Sequence, residues 1–175
     1  MRAEDLLSLP ADGKTYELVQ GELTMMVPAG ARHGRVAGRL LYLLAEYVYR
    51  HHLGVVYAAE TGFQIAHEPD TVRAADVAFV AQERLSPEET DGYHHLAPDL
   101  VVEVASPYDS ATYLQAKVAD WLAAGVRRVW VVYPDTRSIM VYDPSGRAFI
   151  RREDDVLDGE DVLPGFRCPV KEVFR

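Results

Sequence analysis

Cysteine occurs once in the 175 residues, as Cys168, which excludes an internal disulfide and any cysteine-based zinc cage. That thiol is expected to pack near the core as an ordinary side chain. Lysine is almost as scarce, with three residues against fifteen arginines. No stretch approaches the roughly 20 continuous apolar residues that a membrane helix requires, and the opening "MRAEDLLSLPADGK" has acids and a proline where a secretory signal needs an apolar run. A cytoplasmic location is therefore expected. No Gly-rich phosphate loop is present, and no Ser-His-Asp or Cys-His set has supporting context. Repeats, low-complexity tracts and a linker long enough to divide the chain are missing too. The length and the 49% apolar content suit one domain over residues 1–175 with a sizeable core.

Positive charge is also in deficit. The formal net charge of −9 works against non-specific binding of a polyanion, since phosphate affinity comes mainly from Lys and Arg. The charges are unevenly placed, however. Acids gather in "SPEETD" and "REDDVLDGED" and basic residues in "ARHGRVAGR" and "GVRR", which leaves room for one basic face.

What is present reads as a mixed α/β sheet flanked by two helices. "TYELVQGELTMMV" is two strand-like runs around Gln20-Gly21, a hairpin whose second loop residue tolerates positive φ. In "ARHGRVAGRLLYLLAEYVYRHHLG", Val36, Leu40, Leu43, Leu44 and Tyr47 recur at helical spacing before Gly54, which predicts the longest helix. The strand-like runs "VVYAA", "TGFQIAH" and "ADVAFV" follow, then a polar loop "AQERLSPEETDGYHHLAP" and the run "DLVVEV". "SATYLQAKVADWLAAG" is a second amphipathic helix closed by Gly125, leading into apolar "RRVWVVYP" and a hairpin "SIMVYDPSGRAFIR". A strand, a helix and a strand in succession predict a right-handed crossover between parallel neighbours. "DVLPGFRCPVKEVF" is expected to be a short packing segment.

Glu103 stands out because it interrupts an apolar strand between Val102 and Val104. Alternation places Asp99, Val101, Glu103 and Ala105 on one side. Asp99 and Glu103 cannot share a cation, because four residues at roughly 3.3 Å each separate them by about 13 Å, whereas a hard cation holds its oxygens within about 2.6 Å. Asp76 in "RAADVAFV" is the better partner: its strand can pair antiparallel through the polar loop. Carboxylates facing the same way on strands about 4.8 Å apart can hold one Mg²⁺ or Mn²⁺. Lys117, at the edge of the second helix's apolar stripe, can be carried back toward them. Two acids, a metal and a lysine form a phosphoryl-transfer constellation. Taken singly, each residue has an ordinary explanation: a Glu paired with an Arg, an Asp in a turn, a snorkelling Lys. Convergence of the three favours the site.

These residues also resemble a family. "YELVQGEL", "RHGRVAGRL", an Asp ahead of an apolar strand, "PDLVVEVASP", "KVADWLAAGVRRVWVVYP" and "LPGF" look like the Uma-type restriction endonucleases, a branch of the PD-(D/E)XK nuclease superfamily. The resemblance covers nearly the whole chain. It implies a restriction-endonuclease-like fold, a divalent metal, phosphodiester hydrolysis, DNA as the substrate and, by analogy, a homodimer. It carries the metal acids onto Asp76 and Glu103 and the lysine onto Lys117. The superfamily's usual lysine position is occupied by Ala105, so Lys117 must substitute from the helix. Ala75 stands where relatives tend to have Pro, which is expected to be harmless backbone variation.

The resemblance keeps Glu17 and Glu22, which flank the first hairpin turn and are candidates for a further metal or water contact, or simply solvated acids. It includes His33, near the start of the long helix, as a secondary candidate for reaching a phosphate or the site. Gln64 in "GFQIA" either orients a water or makes a cross-strand hydrogen bond. Arg32, Arg35 and Arg39 form either a phosphate-facing stripe or the helix's solvated side. His94 and His95 read as loop residues without a companion ligand. The resulting expectation is a metal-dependent DNA endonuclease. A nuclease-fold module that binds a protein or nucleic acid without cutting is the rival, and an RNase or small-substrate phosphodiesterase is a third reading.

Overall fold

In the computed structural model, which describes residues 1–10, 12–86 and 91–175, the strands divide among three sheets where a single mixed sheet was expected. Residues 87–90, inside the acidic "SPEETD" stretch, and residue 11 lie outside the described residues. The elements run α1 (Ala3–Leu7), β1 (Thr15–Val19), β2 (Glu22–Met26), α2 (Ala31–Arg50), β3 (Gly54–Ala58), β4 (Gly62–Ala66), β5 (Thr71–Ala74) and β6 (Val77–Ala81). After a short 3₁₀ turn come β7 (Leu100–Val104), α3 (Ala111–Ala123), β8 (Arg128–Tyr133), β9 (Ser138–Tyr142), β10 (Ala148–Arg151), β11 (Val156–Asp158), β12 (Arg167–Pro169) and α4 (Val170–Val173).

The central sheet has the order β10-β9-β8-β7-β6-β3, and β7 and β8 are its parallel neighbours, joined through α3 as the strand-helix-strand pattern predicts. Its two faces carry separate cores. One packs Leu100, Val102 and Val104 against Val36, Leu40, Leu44 and Val48 of α2. The other packs Val101, Val129 and Val131 against Leu114, Val118 and Trp121 of α3. Complete burial of Leu40, Leu44 and Trp121 contributes on the order of 1.5–3 kcal/mol for each aliphatic side chain and more for the indole.

The second sheet, β2-β1-β5-β4, is built on the opening hairpin. Gln20 and Gly21 both have positive φ there, at 50° and 78°, the conformation the two-residue turn requires. Strand β5, "TVRA", is not evident from its sequence. It is only four residues long and contains a charged side chain, yet all four residues are buried. The tail is likewise more ordered than a simple packing segment, since β11 and β12 pair and α4 closes the core. Only Ala75 and Asp76 separate β5 from β6, so the chain passes there from one sheet to the other. The candidate residues gather at that seam. Among the described residues, no helix is long and apolar enough to cross a membrane.

Candidate active site

Strands β6 and β7 are antiparallel, with Val77 opposite Val102 and Ala78 opposite Val101. The same register continued by one residue sets Asp76 opposite Glu103. The chain is fixed there by Asp76 N–H donating to the Val102 carbonyl at 3.1 Å and by Val104 N–H donating to Asp76 Oδ2 at 2.7 Å. Directly opposed residues share a face and hold their Cβ atoms about 4.5–5.5 Å apart.

Helix α3 closes over this pair. Ser110 caps it by accepting from Tyr113 N–H at 3.0 Å, and its buried stripe of Leu114, Lys117, Val118 and Trp121 faces the sheet. Lys117 Nζ donates to Glu103 Oε2 at 2.8 Å, and Trp121 Nε1–H donates to Glu103 Oε1 at 2.8 Å. Both carboxylate oxygens are therefore clamped from one helix, one turn apart. Burial of Glu103 disfavours its charged form and the Asp76 carboxylate adds to this. Against the partial relief from Lys117, its pKa is pushed up to about 7. Lys117 is itself buried, but the charges of Glu103 and Glu17 outweigh the desolvation and raise its pKa. It is an ammonium at neutral pH.

The second sheet supplies the other half of a charge network. Glu17, on β1, is 1% exposed. It accepts from Ala74 N–H at 3.0 Å and from Arg73 Nη1 at 2.7 Å, and its Oε1 lies 3.5 Å from Lys117 Nζ. Arg73, on β5, reaches from Glu17 to Asp120 of α3, donating through Nε at 3.1 Å. Tyr113, one turn before Lys117, is half-buried and its phenol pKa is raised by desolvation. Arg73, Asp120, Trp121 and Tyr113 did not stand out in the sequence. Trp121 and Tyr113 are typical of an amphipathic stripe, and Arg73 lies on a strand too short to register. For Asp120 the i+3 spacing from Lys117 was the available signal.

His33, three residues into α2, lies 3.2 Å from Asp76 Oδ2 through Nε2, and its Nδ1 is buried without a hydrogen-bond partner among the described residues. The contact with Asp76 raises its pKa. The remaining candidates lie elsewhere. Glu22 is exposed on β2. Gln64 lies opposite Val72, on the other face of its sheet from Arg73, and its Nε2 meets His67 Nδ1 at 3.0 Å. Arg32 pairs with Asp135, and Arg39 donates to the Glu172 carbonyl at 3.1 Å; of the four arginines on α2 only Arg35 has no ion pair among the described residues. His94 packs on the rings of Tyr57 and Phe63, and His95 stacks loosely on His67. Asp99, the other acid of the β7 region, is held by Ala81 N–H at 2.8 Å and by Arg84 at 2.9 Å. Its place is structural, and it is separate from the Glu103 pair.

No group of three or more His, Cys, Asp or Glu side chains among the described residues is arranged to hold a metal ion with protein ligands alone. Mg²⁺ does not need one, because it keeps several waters and is held by one or two carboxylates together with substrate oxygens. The opposed Asp76 and Glu103 meet that requirement. Each carboxylate has about four lone-pair sites, and Glu103 uses two of them on Trp121 and Lys117. The carboxylates of Glu17, Asp76, Glu103 and Asp120 gather here with Arg73, Lys117 and the imidazole of His33, and acids outnumber the permanently charged cations, which favours a divalent cation at the site. The donor set fits such an ion.

The sequence matches the family model described as "Uma2: Putative restriction endonuclease" over residues 3–171. No curated protein matches it. Among solved structures the fold is similar to that of "a putative nuclease belonging to DUF820 from Anabaena variabilis", with a TM-score of 0.85 at 18% identity over 99% of this chain and 97% of that one. At that identity the likeness shows a shared fold.

Proposed function

From the premise that the chain belongs to the Uma2 restriction-endonuclease family, we propose that it is a metal-dependent endonuclease that hydrolyses phosphodiester bonds in DNA, acting as a homodimer. The observation that carries the reading is the opposition of Asp76 and Glu103 across two strands with Lys117 bonded to one of them. A binding module with no chemistry to perform has no need to bring these three groups together.

A bound Mg²⁺ or Mn²⁺ would supply Lewis acidity to the phosphodiester and lower the pKa of an attacking water. Asp76 and Glu103 would hold it. Trp121 and Lys117 fix the Glu103 carboxylate in one orientation, as hydrogen bonds to ligating groups generally do. Val104 N–H and His33 do the same for Asp76. The Lys117 ammonium, held by Glu103, by the Ala74 carbonyl and by Glu17 with Arg73 behind it, would place positive charge beside the phosphoryl oxygens where negative charge develops. The test is isothermal titration of Mn²⁺ beside cleavage of plasmid DNA and of a matched RNA. Cleavage of RNA alone would replace the DNA reading, and metal binding without cleavage of either would leave a binding module.

The raised pKa of Glu103 gives a pH dependence. Below about 7 a proton competes with metal for Glu103, and above it the competition ends. Mn²⁺ affinity is therefore expected to fall about tenfold between pH 8 and pH 6, read by titration calorimetry, with protons released on binding near pH 7. A flat profile would show that no proton competes with metal at Glu103 in this range. In the metal-free protein the sign is opposite. An acid with a raised folded-state pKa adds stability that is present below its unfolded value of 4.5 and is lost as pH rises through about 7.

Trp121→Phe separates orientation from charge. The phenyl ring keeps most of the packing but takes the donor from Glu103 Oε1. The loss of a hydrogen bond to a charged group costs about 1.5–3 kcal/mol of stability, and the loss of an orienting partner is expected to weaken Mn²⁺ binding about tenfold. Unchanged metal affinity in the folded variant would show that Trp121 serves packing alone.

A further inference from the structure

One aromatic side chain on the loop that follows Glu103 in the chain takes no part in the fold. Tyr108 is 95% exposed, more than any other large apolar side chain described. It lies in the connection between β7, which carries Glu103, and α3, which carries Lys117. It stands five positions after Glu103, so the two Cα atoms are at most about 18 Å apart even along a fully extended chain. The turn that holds it makes the separation shorter.

That turn is fixed by its own hydrogen bonds. Ser106 N–H donates to Asp109 Oδ2 at 2.8 Å, Asp109 N–H donates to the Ser106 carbonyl at 3.1 Å, and Tyr108 N–H donates to Ser106 Oγ at 3.3 Å. Ser110 then caps α3. The backbone beneath the ring is thus held in place while the ring itself stands in solvent. Asp109 turns back into the loop through its bond to Ser106 N–H, and its charge acts on His33, the partner of Asp76.

We infer that Tyr108 is a stacking platform for an unpaired nucleobase of the strand being cut, placed within a few nucleotides of the scissile phosphate. This inference rests on the nuclease reading and adds to it the class of group that the loop after Glu103 recognises. An exposed ring adds nothing to folding through burial, and its neighbours Pro107 and Ser110 are small and exposed. The described residues beside it in the loop, Pro107, Asp109 and Ser110, add no large apolar side chain to the ring. A single ring on a fixed turn suits one planar base, since every base has a π-face and stacking on an aromatic side chain is worth about 1–3 kcal/mol. Stacking also explains how a chain of net charge −9 can retain a polyanion near its acids. Part of the affinity comes from rings, with less demand on phosphate contacts.

The experiment measures binding of a fluorescent single-stranded oligonucleotide carrying 2-aminopurine, with Ca²⁺ in place of Mg²⁺ so that the strand is not consumed. Wild type, Tyr108→Ala and Tyr108→Trp are compared with thermal melts of each. Tyr108→Ala is expected to melt like wild type and to bind about 5- to 150-fold more weakly, with loss of the 2-aminopurine quenching that stacking produces. Tyr108→Trp is expected to restore both. Equal affinity and equal quenching in wild type and Tyr108→Ala would overturn the inference and leave the nuclease reading standing. Failure of the wild type to bind either the oligonucleotide or a duplex would remove the nucleic-acid reading, and this inference with it.

Discussion

Asp76→Asn is expected to abolish Mn²⁺ binding and DNA cleavage together while leaving the fold intact. The amide oxygen of Asn accepts a hydrogen bond from Val104 N–H just as Asp76 Oδ2 does, so the link between the two strands survives. The negative charge does not. Without it one carboxylate remains to hold the cation, and Glu103 loses the neighbour that raises its pKa. The removal of a preorganised electrostatic group typically costs about 10²–10³ in rate, and here the group also holds the metal, so the loss should be at least that large. Glu103→Gln should behave similarly toward metal but less cleanly toward stability, since it leaves Lys117 with one carboxylate in place of two. Titration of Mn²⁺ into wild type and Asp76→Asn, beside plasmid cleavage by the same preparations, decides the matter. If the wild type binds no metal, the carboxylates are structural and the binding-module reading takes over.

Glu103 was legible in the sequence because a charge inside an apolar strand violates alternation, and Lys117 because a scarce residue lies on the edge of an apolar stripe. Asp76 followed from asking what could face Glu103. The hairpins and the strand-helix-strand crossover were legible for a similar reason, since turn residues and periodicity act over a few positions. The division into separate sheets was not. Whether β1 joins β5 or the central sheet depends on contacts between distant parts of the chain, and the one register pair between them, Leu18 with Val72, has no local signature. Arg73 was missed with its strand, so Glu17 appeared as an acid beside a turn, while in the fold it joins the two sheets. Trp121 was hidden differently: its ring fits the core as the stripe requires, and only the direction of its N–H gives it a second role.

The same network yields the largest expected effect on stability. Arg73→Leu removes the guanidinium that lies between Glu17 and Asp120, and Arg73 and Glu17 are both almost wholly buried, at 2% and 1% exposure. Breaking a buried ion pair from one side leaves a charge without water or partner, which costs about 3–5 kcal/mol. At about 2–4 °C per kcal/mol for a chain of this size, the melting temperature should fall by about 6–20 °C. Glu17→Leu in the same background should recover part of that loss, because it removes the stranded carboxylate. A buried ion pair replaced on both sides by apolar groups is often no less stable than the original, so stability alone does not account for this one. Placement does. Glu17 lies 3.5 Å from Lys117 Nζ and Arg73 holds Glu17 against the Ala74 backbone, so the pair sets where the ammonium lies relative to Glu103. The folded double variant should therefore bind Mn²⁺ with near wild-type affinity, since Asp76 and Glu103 are intact, and should cleave at least tenfold more slowly because Lys117 has lost its lateral support. Cleavage at the wild-type rate would make the network a structural joint between sheets, whereas slow cleavage with the metal retained would assign it the positioning of Lys117.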